Sequence, residues 1–448
     1  MGESGKMTTD ISKERSRNYR HQIKGAIVYK VGVLLAQFLT IPIMIHYLGQ
    51  EQFGVWSTLL SIMSWVLVFD LGVGNGLRNK VAETLARNDK AEAGKYIASG
   101  YTLIGLIAFA IWAVMTGASF FVPWQSFFNT QAISEATLRL TVQVAVFFVV
   151  LNFWIGLISA ILGAVQKTAM NALGKLISNL SALLFVYVLT KTTDANITYL
   201  AWSYGISLVI ANIGLSWWFY QDHPELRPKP YFDKQHVSPL LSVGMQFFII
   251  QIAGLVMFTT DKILITQLLG PEYVTQYDVV FKVFNLISAV HMLISTPLWS
   301  AYTDAYHRCD MAWIKRMLHK QLLIFIGIIA AICLMGLLIK PIIALWIGHE
   351  MPVSQSLVMS IGLFFLVSTW NNIYAMFVNG VGKIKLQLYT AVIAMVINIP
   401  LAIYFVKWLD LGLSGVVLAN VVSLSLSAIA LPIQVNQIIR KRTREATA

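Results

Sequence analysis

Twelve apolar stretches, each about twenty residues long, follow one another through most of this chain. A run of about 20 apolar residues crosses the hydrocarbon core of a bilayer as an α-helix. We predict spans at residues 25–48, 53–71, 97–122, 138–163, 172–190, 198–220, 240–269, 275–300, 321–346, 354–380, 386–407 and 411–436. Charged residues make up only 12% of the 448 residues, against roughly 25% in a soluble domain. The sequence therefore predicts an all-α polytopic membrane protein with about twelve transmembrane helices.

The basic residues are distributed unevenly between the two sides of the membrane. The N-terminus and every second connection hold 26 of the 33 lysines and arginines, and the opposite side holds four. Because cytoplasmic loops are enriched in basic residues, both termini are predicted to face the cytoplasm. The net charge of +12 is then a topology signal, and no nucleic-acid partner is predicted. The predicted parts are a cytoplasmic basic N-terminus (1–24), an N-lobe of helices 1–6 (25–220), a cytoplasmic linker (221–239), a C-lobe of helices 7–12 (240–436) and a cytoplasmic basic tail (437–448).

The two halves of the chain can be overlaid by adding 221 to the residue number. Matched positions include Gly49 with Gly270, Arg87 with Arg308 and Asp89 with Asp310, and later, at an offset of 216, Trp154 with Trp370 and Lys167 with Lys383. Because each half begins on the cytoplasmic side, the two six-helix lobes are predicted to be parallel, related by an axis along the membrane normal. This is a recurrent transporter plan, in which the substrate site lies between the halves and access alternates.

The segment 69–83, FDLGVGNGLRNKVAE, has glycines at positions 72, 74 and 76 followed by basic residues. A dinucleotide-binding loop needs a preceding strand and the spacing G-x-G-x-x-G, whereas a membrane helix precedes this segment and its spacing is G-x-G-x-G. We predict that the glycines end the second span. Leu77, Val81 and Leu85 then recur every four residues, which predicts an amphipathic helix lying at the inner leaflet.

Three segments stand out as family motifs: QFLTIPIMIHYLGQEQFGVWS, FDLGVGNGLRNKVAETLARNDK and TTDKILITQLLG. They resemble the polysaccharide flippases, namely the Wzx-type O-antigen translocases and related exporters of the multidrug/oligosaccharidyl-lipid/polysaccharide flippase superfamily. The resemblance implies that the chain flips an undecaprenyl-diphosphate-linked oligosaccharide, an O-antigen or other surface polysaccharide repeat unit. The glycolipid would move from the inner to the outer leaflet of the bacterial inner (cytoplasmic) membrane by alternating access. The implied partners are this lipid-linked oligosaccharide, membrane lipids, Na+ or H+ as a coupling ion and the polysaccharide polymerase machinery, and no cofactor is implied.

Charged residues inside spans are costly and are therefore candidates for function. Three cations are placed there, Lys30, Lys262 and Lys282. Lys30 shares its helix face with Gln37, and it either contacts a phosphate near the inner mouth or snorkels to the interface. The repeat places Gln251 at the position equivalent to Lys30. Lys262 shares a face with Gln251, which indicates a cavity wall.

Four further residues are candidates for coupling or gating. Asp261 is either a coupling-cation site or the partner of a basic residue on a neighbouring helix. Asp278 stands four residues before Lys282, which is the spacing of an intrahelical ion pair. Asp70 lies near the inner interface, where Arg78 or another loop cation could pair with it in a structural or gating role.

Amide side chains complete the predicted substrate site. Asn152, Asn179 and Asn372 lie inside predicted spans. Buried amides often only join helices, so each alone is consistent with a structural role, while together they suit a path for glycan hydroxyls. The eight histidines are scattered without an H-E-x-x-H motif or a Cys/His cluster, so no metal site is predicted.

Two other functions stay open at the level of the sequence. A drug/cation antiporter of the same superfamily would favour an acidic, aromatic cavity, whereas three cations inside spans favour an anion. A membrane-embedded glycan polymerase, ligase or acyltransferase would need a catalytic loop or an acid/base pair near the outer face. Because the outer loops are at most about 15 residues long and the chain is repeated, we predict a transporter and not an enzyme.

Overall fold

The regular structure of the chain is helical wherever it is described. This computed structural model describes residues 3–67, 72–165, 167–295, 298, 302, 305–306 and 309–447, with side chains described except at 3–27, 67, 86, 168, 242–251, 253–254, 256–258, 293 and 445–447. The helices are α1 (Glu3–Leu67), α2 (Val73–Ala86), α3 (Lys90–Ala118), α4 (Trp124–Phe128), α5 (Glu135–Ile155), α6 (Ile158–Ala164), α7 (Thr168–Thr192), α8 (Ile197–Asp222), α9 (Lys234–Leu268), α10 (Pro271–Ser295), α11 (Met311–Ile347), α12 (Gln355–Gly380), α13 (Lys385–Lys407) and α14 (Gly412–Thr447).

Nine helical segments within these described ranges are long and apolar enough to cross a membrane. One of them, Val28–Val66, is 39 residues long and covers the first two predicted spans. The helices α9 and α10 have 35 and 25 residues, and at about 1.5 Å per residue both exceed the ~30 Å hydrocarbon core. The chain is a multi-pass membrane protein.

The first two predicted spans are the two arms of α1. The helix is kinked at Gly49, whose φ of 75° and ψ of 173° are not helical. A positive φ is strained for residues with a Cβ atom but not for glycine. The predicted break between spans therefore takes the form of a kink within one continuous helix. The predicted fourth span is also interrupted, because α5 ends at Ile155 and α6 begins at Ile158.

The glycine-rich segment forms a helix start and a close packing contact. Gly72 has a φ of 67° and precedes α2, so α2 begins four residues earlier than the predicted amphipathic repeat. Gly76 lies inside α2, where an added Cβ would come within 2.4 Å of the Leu240 carbonyl oxygen. Leu77 and Val81 are fully buried, and α2 packs on α3 and α6. The apolar face of this amphipathic helix is thus covered by protein and not by the inner leaflet.

The predicted repeat is visible in the backbone at equivalent positions. Asn88 and Cys309, 221 residues apart, both have a φ of 59°, which non-glycine residues rarely adopt. The next residues, Asp89 and Asp310, both cap a helix by accepting a hydrogen bond at 2.9 Å from the N–H three residues on. At the later offset of 216, the N–H groups of Lys167 and Lys383 each donate to a carbonyl five residues earlier, at 2.8 and 3.1 Å.

The chain forms two compact units. The N-terminal unit comprises Met1–Gly49, Ile62–Phe127 and Gln131–Ile252, and the C-terminal unit comprises Gln50–Ser61, Phe128–Thr130 and Ala253–Ala448. In the N-terminal unit α5 packs on α3 and α8, and α7 packs on α8. In the C-terminal unit α14 packs on both α12 and α13. The lobe boundaries given above from the sequence stay a prediction.

Two contacts within the C-terminal unit are related by the repeat. The Thr275 hydroxyl donates to the Gln50 carbonyl oxygen at 2.5 Å. An added Cβ at Gly54 would lie only 1.7 Å from the Pro271 carbonyl oxygen. Adding 221 converts Gln50 into position 271 and Gly54 into position 275, so each contact is the counterpart of the other. The second arm of α1 and the start of α10 therefore pack as a locally symmetric pair, with their backbones close together.

Candidate functional site

A cavity of about 470 Å³ opens inside the N-terminal unit, and we refer to it as the polar cavity. Helices α2, α5, α7 and α8 and the α5–α6 connection contribute most of its wall. Its polar side chains are Asn75, Arg78, Asn152, Ser159, Asn171, Lys175, Ser178, Asn179 and Asn212. The volume lies within the 300–1,000 Å³ that is typical of ligand pockets.

The break between α5 and α6 sets one wall of the polar cavity. The N–H of Gly156 donates to the Asn152 carbonyl oxygen at 2.8 Å, and an added Cβ at Gly156 would lie only 2.3 Å from that oxygen. Glycine is therefore required where α5 ends. The Asn152 side-chain oxygen accepts a hydrogen bond at 2.7 Å from the Asn212 amide nitrogen, so the two amides are held together in the wall.

Two cations, Arg78 and Lys175, line the polar cavity. The Arg78 side chain lies close to Gly163, because a Cβ added at Gly163 would be 3.0 Å from the Arg78 Nε. Both side chains are exposed, and neither forms an ion pair with any carboxylate in the described part of the chain. Their charges are therefore available to a ligand.

The nearest acidic residue on α2 is engaged elsewhere. Glu83 binds Lys80 at 2.9 Å and Arg87 at 2.7 Å. The Lys80 hydrogen bond, together with the charges of both cations, holds the pKa of Glu83 below its usual value. Glu83 therefore stays ionised at neutral pH, with its charge balanced by these two cations and not by Arg78.

The amides of the polar cavity present both hydrogen-bond donors and acceptors. Asn179 donates to the Lys175 carbonyl oxygen at 2.7 Å, and Asn171 donates to the Ser159 carbonyl oxygen at 2.8 Å. The side-chain oxygen of Asn171 is buried and has no partner among the described residues. Such an acceptor matches a sugar hydroxyl, which donates one hydrogen bond.

The charge of the polar cavity is positive. None of the described residues that line it is Asp or Glu, whereas two are basic. Arg and Lys form strong, charge-assisted hydrogen bonds with phosphate oxygens. The arrangement therefore suits an anionic ligand that also carries hydroxyl groups.

A second group of charges lies in the C-terminal unit. Asp278 is buried and binds Lys262 at 2.7 Å and Lys282 at 3.3 Å. The Ser57 hydroxyl donates to the same carboxylate at 3.1 Å. The predicted pairing of Asp278 with Lys282 is present, and Lys262 joins it from α9. We refer to these four residues as the lysine network.

Asp261 belongs to a separate buried chain of hydrogen bonds. Its carboxylate accepts from the Tyr277 hydroxyl at 2.9 Å and from the Asn420 amide at 2.6 Å. The Asn398 amide donates to the Asn420 side-chain oxygen at 2.7 Å, while the Asn398 side-chain oxygen is buried without a partner among the described residues. Asp261 and its neighbour Lys262 thus contact different groups, as expected for adjacent helical positions that point about 100° apart.

Other candidates from the sequence lie outside these two groups. Lys30 and Gln37 are exposed on α1 and do not line the polar cavity. The Asn372 side-chain oxygen is buried without a partner in the described part of the chain. The side chain of Gln251 and the whole of Asp70 lie outside the described residues, as does any pairing of Asp70.

Sequence reasoning found one residue of α7 that lines the polar cavity, Asn179, but it missed Asn171 and Lys175. Asn171, Lys175 and Asn179 are spaced by four residues, which places them on one helix face. This polar stripe in an otherwise apolar helix is the signal that could have found them.

One family model matches most of the chain. The family described as polysaccharide biosynthesis protein matches residues 23–302, which is more than half of the sequence. The chain belongs to the polysaccharide biosynthesis protein family. The model of a second family, MatE, matches residues 247–404 of the chain.

Curated relatives align with most of this chain. It is 25% identical over 411 residues to a Salmonella typhimurium protein named as an O-antigen transporter, covering 89% of this chain and 91% of that protein. It is 22% identical over 360 residues to a Yersinia pseudotuberculosis protein named as an O-antigen export protein, covering 79% and 81%.

Solved structures of other proteins show the fold of this chain. The inward-facing conformation of a multidrug resistance MATE family transporter of the MOP superfamily matches with a TM-score of 0.78 at 14% identity, covering 94% of this chain and 99% of that one. A MOP superfamily transporter from Pyrococcus furiosus matches with a TM-score of 0.61 at 15% identity, covering 94% and 97%. The predicted fold class, an all-α membrane protein with two six-helix lobes, is confirmed, and so is the predicted family resemblance.

Proposed function

We propose that the protein is a flippase for an undecaprenyl-diphosphate-linked oligosaccharide. The observation that supports this most directly is the polar cavity, where Arg78 and Lys175 lie among amides and hydroxyls without a described carboxylate. A diphosphate needs cations and a glycan needs hydrogen-bonding groups, and this cavity has both. The names of the curated relatives point to the same class of cargo.

The substrate divides into a polar head and an apolar tail. The diphosphate binds Arg78 and Lys175, and the first sugars bind the amides of Asn152 and Asn179, while the polyprenyl tail stays in the lipid. Because an unsolvated diphosphate is costly in hydrocarbon, the polar surface lowers the barrier that the head group meets in the bilayer. Alternating access in the bacterial inner membrane then delivers the glycan to the outer leaflet, where polymerase machinery can use it.

We propose that the C-terminal unit couples transport to an ion gradient. Asp261 is buried among hydroxyl and amide groups, and the orphaned Asn398 oxygen lies in the same chain of hydrogen bonds. Hydroxyl, amide and carboxylate oxygens are ligands that can coordinate a hard cation such as Na+. The carboxylate can also bind H+. Binding of either ion at Asp261 would couple an ion gradient to the flipping cycle.

The test of coupling is transport under imposed gradients. Proteoliposomes that contain wild-type protein or Asp261→Asn are given a Na+ gradient or a pH gradient across the membrane. We expect one gradient to accelerate wild-type flipping and to leave the variant unaffected. The exposed carboxylate variant Glu83→Gln serves as the control and should respond as wild type does. Equal acceleration of Asp261→Asn would refute a coupling role for this residue.

The class of substrate is tested by a direct comparison in liposomes. Purified protein is reconstituted with a fluorescent undecaprenyl-diphosphate oligosaccharide, and accessibility of the label on the opposite leaflet is followed in time. A parallel preparation is loaded with a cationic dye. We expect exchange of the glycolipid and no efflux of the dye. Dye efflux without glycolipid exchange would assign the protein to the drug/cation antiporters, and chemical change of the glycolipid would assign it to the enzymes.

A further inference from the structure

An apolar groove runs along the N-terminal unit, separate from the polar cavity. Its volume is about 860 Å³, and α3, α5, α8 and the linker that follows α8 form its walls. Four aromatic residues line it, with Trp154 and Trp217 exposed beside Tyr101 and Tyr220. The groove and the polar cavity have no lining residue in common.

The groove continues along α3 and α5 into a narrower apolar slot of about 370 Å³. Gly105 and Trp154 line both spaces, so the two are directly adjacent. Along α3 the lining extends from Tyr101 to Trp112, which is about 16 Å at 1.5 Å per residue. That length is close to half of the ~30 Å hydrocarbon core, the depth of a single leaflet.

Two cations stand at the cytoplasmic rim of the groove. Arg227 and Lys229 line it together with Pro228 and Pro230, and both cations are exposed. Neither forms an ion pair with a carboxylate of the described chain, because the neighbouring Glu225 binds Lys90 at 2.9 Å instead. The guanidinium Nε of Arg227 donates to the Tyr220 carbonyl oxygen at 3.2 Å, which anchors the rim to the end of α8.

The groove is apolar, has about the depth of one leaflet and ends at two cations. It is therefore complementary to a lipid with a negative head group. Basic pockets between membrane helices on the cytoplasmic side bind acidic head groups. The polar cavity has a different lining, in which amides, hydroxyls and two cations stand among apolar side chains. The groove therefore has the character of a lipid site and not of a glycan path.

We propose that this groove binds an anionic phospholipid of the cytoplasmic leaflet. One acyl chain lies along α3 and α5 between Trp154 and Trp112, and the phosphate binds Arg227 and Lys229. The bound lipid joins the linker to the outer surface of α3 and α8. This site is separate from flipping and would exist whatever the transported substrate is.

The test is lipid binding to the full chain in detergent by native mass spectrometry. Dioleoylphosphatidylglycerol is compared with dioleoylphosphatidylcholine, which has the same chains without net charge. Because each basic residue near an anionic surface contributes about fivefold in affinity, two should favour the phosphatidylglycerol by about 25-fold. Arg227→Gln/Lys229→Gln should remove this preference. The matched control Lys315→Gln/Arg316→Gln removes two exposed cytoplasmic-side cations of α11 and should keep it.

A second variant tests the apolar part of the site. An added Cβ at Gly105 would lie 3.4 Å from the Trp154 ring, so Gly105→Leu is accommodated at its Cβ and extends into the groove. It should lower retention of both lipids, whereas Gly327→Leu, at a glycine with nothing within 4 Å, should not. Melting temperatures of all variants report on folding.

Three results would overturn the proposal. The preference for phosphatidylglycerol could persist in Arg227→Gln/Lys229→Gln. It could also fall equally in Lys315→Gln/Arg316→Gln, which would indicate unspecific attraction to surface charge. Undecaprenyl phosphate could instead be retained in preference to phosphatidylglycerol, which would assign the groove to the tail of a polyprenyl substrate.

Discussion

Removing the carboxylate of Asp278 should unbalance the lysine network. Asp278→Asn keeps the shape of the side chain and the neighbouring Ser57 hydroxyl, but it leaves Lys262 and Lys282 facing a neutral group. Breaking a buried ion pair costs about 3–5 kcal/mol. Here Asp278 is 3% exposed, whereas the lysine side chains are 22% and 38% exposed, so the ammonium groups are less buried than the carboxylate that is removed. We therefore expect a loss near the lower limit, about 3 kcal/mol in the free energy of unfolding.

The assay is equilibrium unfolding by sodium dodecyl sulfate in dodecylmaltoside micelles. The matched control is Glu83→Gln, which breaks ion pairs at the exposed α2 surface and should cost about 0–1 kcal/mol. Adding Lys262→Met to Asp278→Asn removes the cation at 2.7 Å and should restore more than half of the loss. A loss no larger than that of the control, or a double variant no more stable than Asp278→Asn, would refute this reasoning.

Three further predictions concern close contacts and surface charge. Gly54→Ala should lower the melting temperature strongly, since its Cβ would lie 1.7 Å from a carbonyl oxygen. Gly163→Val should slow transport without removing a charge, because it displaces the Arg78 guanidinium, whose Nε would lie 3.0 Å from an added Cβ. The hydrogen bond from Lys90 lowers the pKa of Glu225 below its usual 4.5. The linker contact is therefore complete above pH 4.5 and is lost as the pH falls through the lowered pKa of Glu225, which a decrease in the hydrogen-exchange protection of the linker, corrected for the intrinsic exchange rate, should report.

Each of these predictions has an outcome that contradicts it. Gly327→Ala, at a glycine with nothing within 4 Å, should not lower the melting temperature, and an equal loss at both glycines would disprove the close-contact argument. Transport at the wild-type rate in Gly163→Val would show that the position of Arg78 is unimportant. Hydrogen-exchange protection of the linker, corrected for the intrinsic exchange rate, that does not fall as the pH is lowered from neutral to well below 4.5 would show that the Glu225 contact does not hold it.

The repeat was the most informative feature of the sequence because it constrains backbone geometry. Asn88 and Cys309 share no side-chain chemistry, yet both adopt the same positive φ. The aspartates that follow them, Asp89 and Asp310, cap their helices in the same way. Helix ends in a membrane protein depend on local hydrogen bonds and chain direction, which the repeat preserves. Equivalent helix starts in the two halves could therefore be paired without any knowledge of packing, although the kink at Gly49 and the break after Ile155 could not be predicted from the spans.

Side-chain partners between helices could not be read in the same way. The i,i+4 spacing predicted the pair of Asp278 with Lys282, which lie on one helix, but not the shorter contact with Lys262 on α9. Arg78 was named only as a possible partner of Asp70 near the inner interface, whereas its position over Gly163 depends on how α2 meets α6. Contacts between helices depend on rotation about each helix axis, which hydrophobicity alone does not define in a membrane.

Comparison of the two repeats shows where they have diverged. The charged residues of the C-terminal unit, Asp261, Lys262, Asp278 and Lys282, have the uncharged counterparts Thr40, Ile41, Ser57 and Ser61 at an offset of 221. The ion pairs of the lysine network thus lie in the second repeat, while the cations of the polar cavity lie in the first. This asymmetry suits a division of labour in which one repeat binds the anionic head group and the other couples an ion.

The central claim is that Arg78 and Lys175 bind the diphosphate during flipping. The most direct test is the leaflet-exchange rate of a fluorescent undecaprenyl-diphosphate oligosaccharide in proteoliposomes, compared between wild type and Arg78→Gln/Lys175→Gln. Since a hydrogen bond to a charged group contributes about 1.5–3 kcal/mol, the variant should exchange the glycolipid at least about tenfold more slowly. The control Lys315→Gln/Arg316→Gln should exchange it at the wild-type rate. Unchanged exchange in the cavity variant, or an equal decrease in the control, would contradict this account.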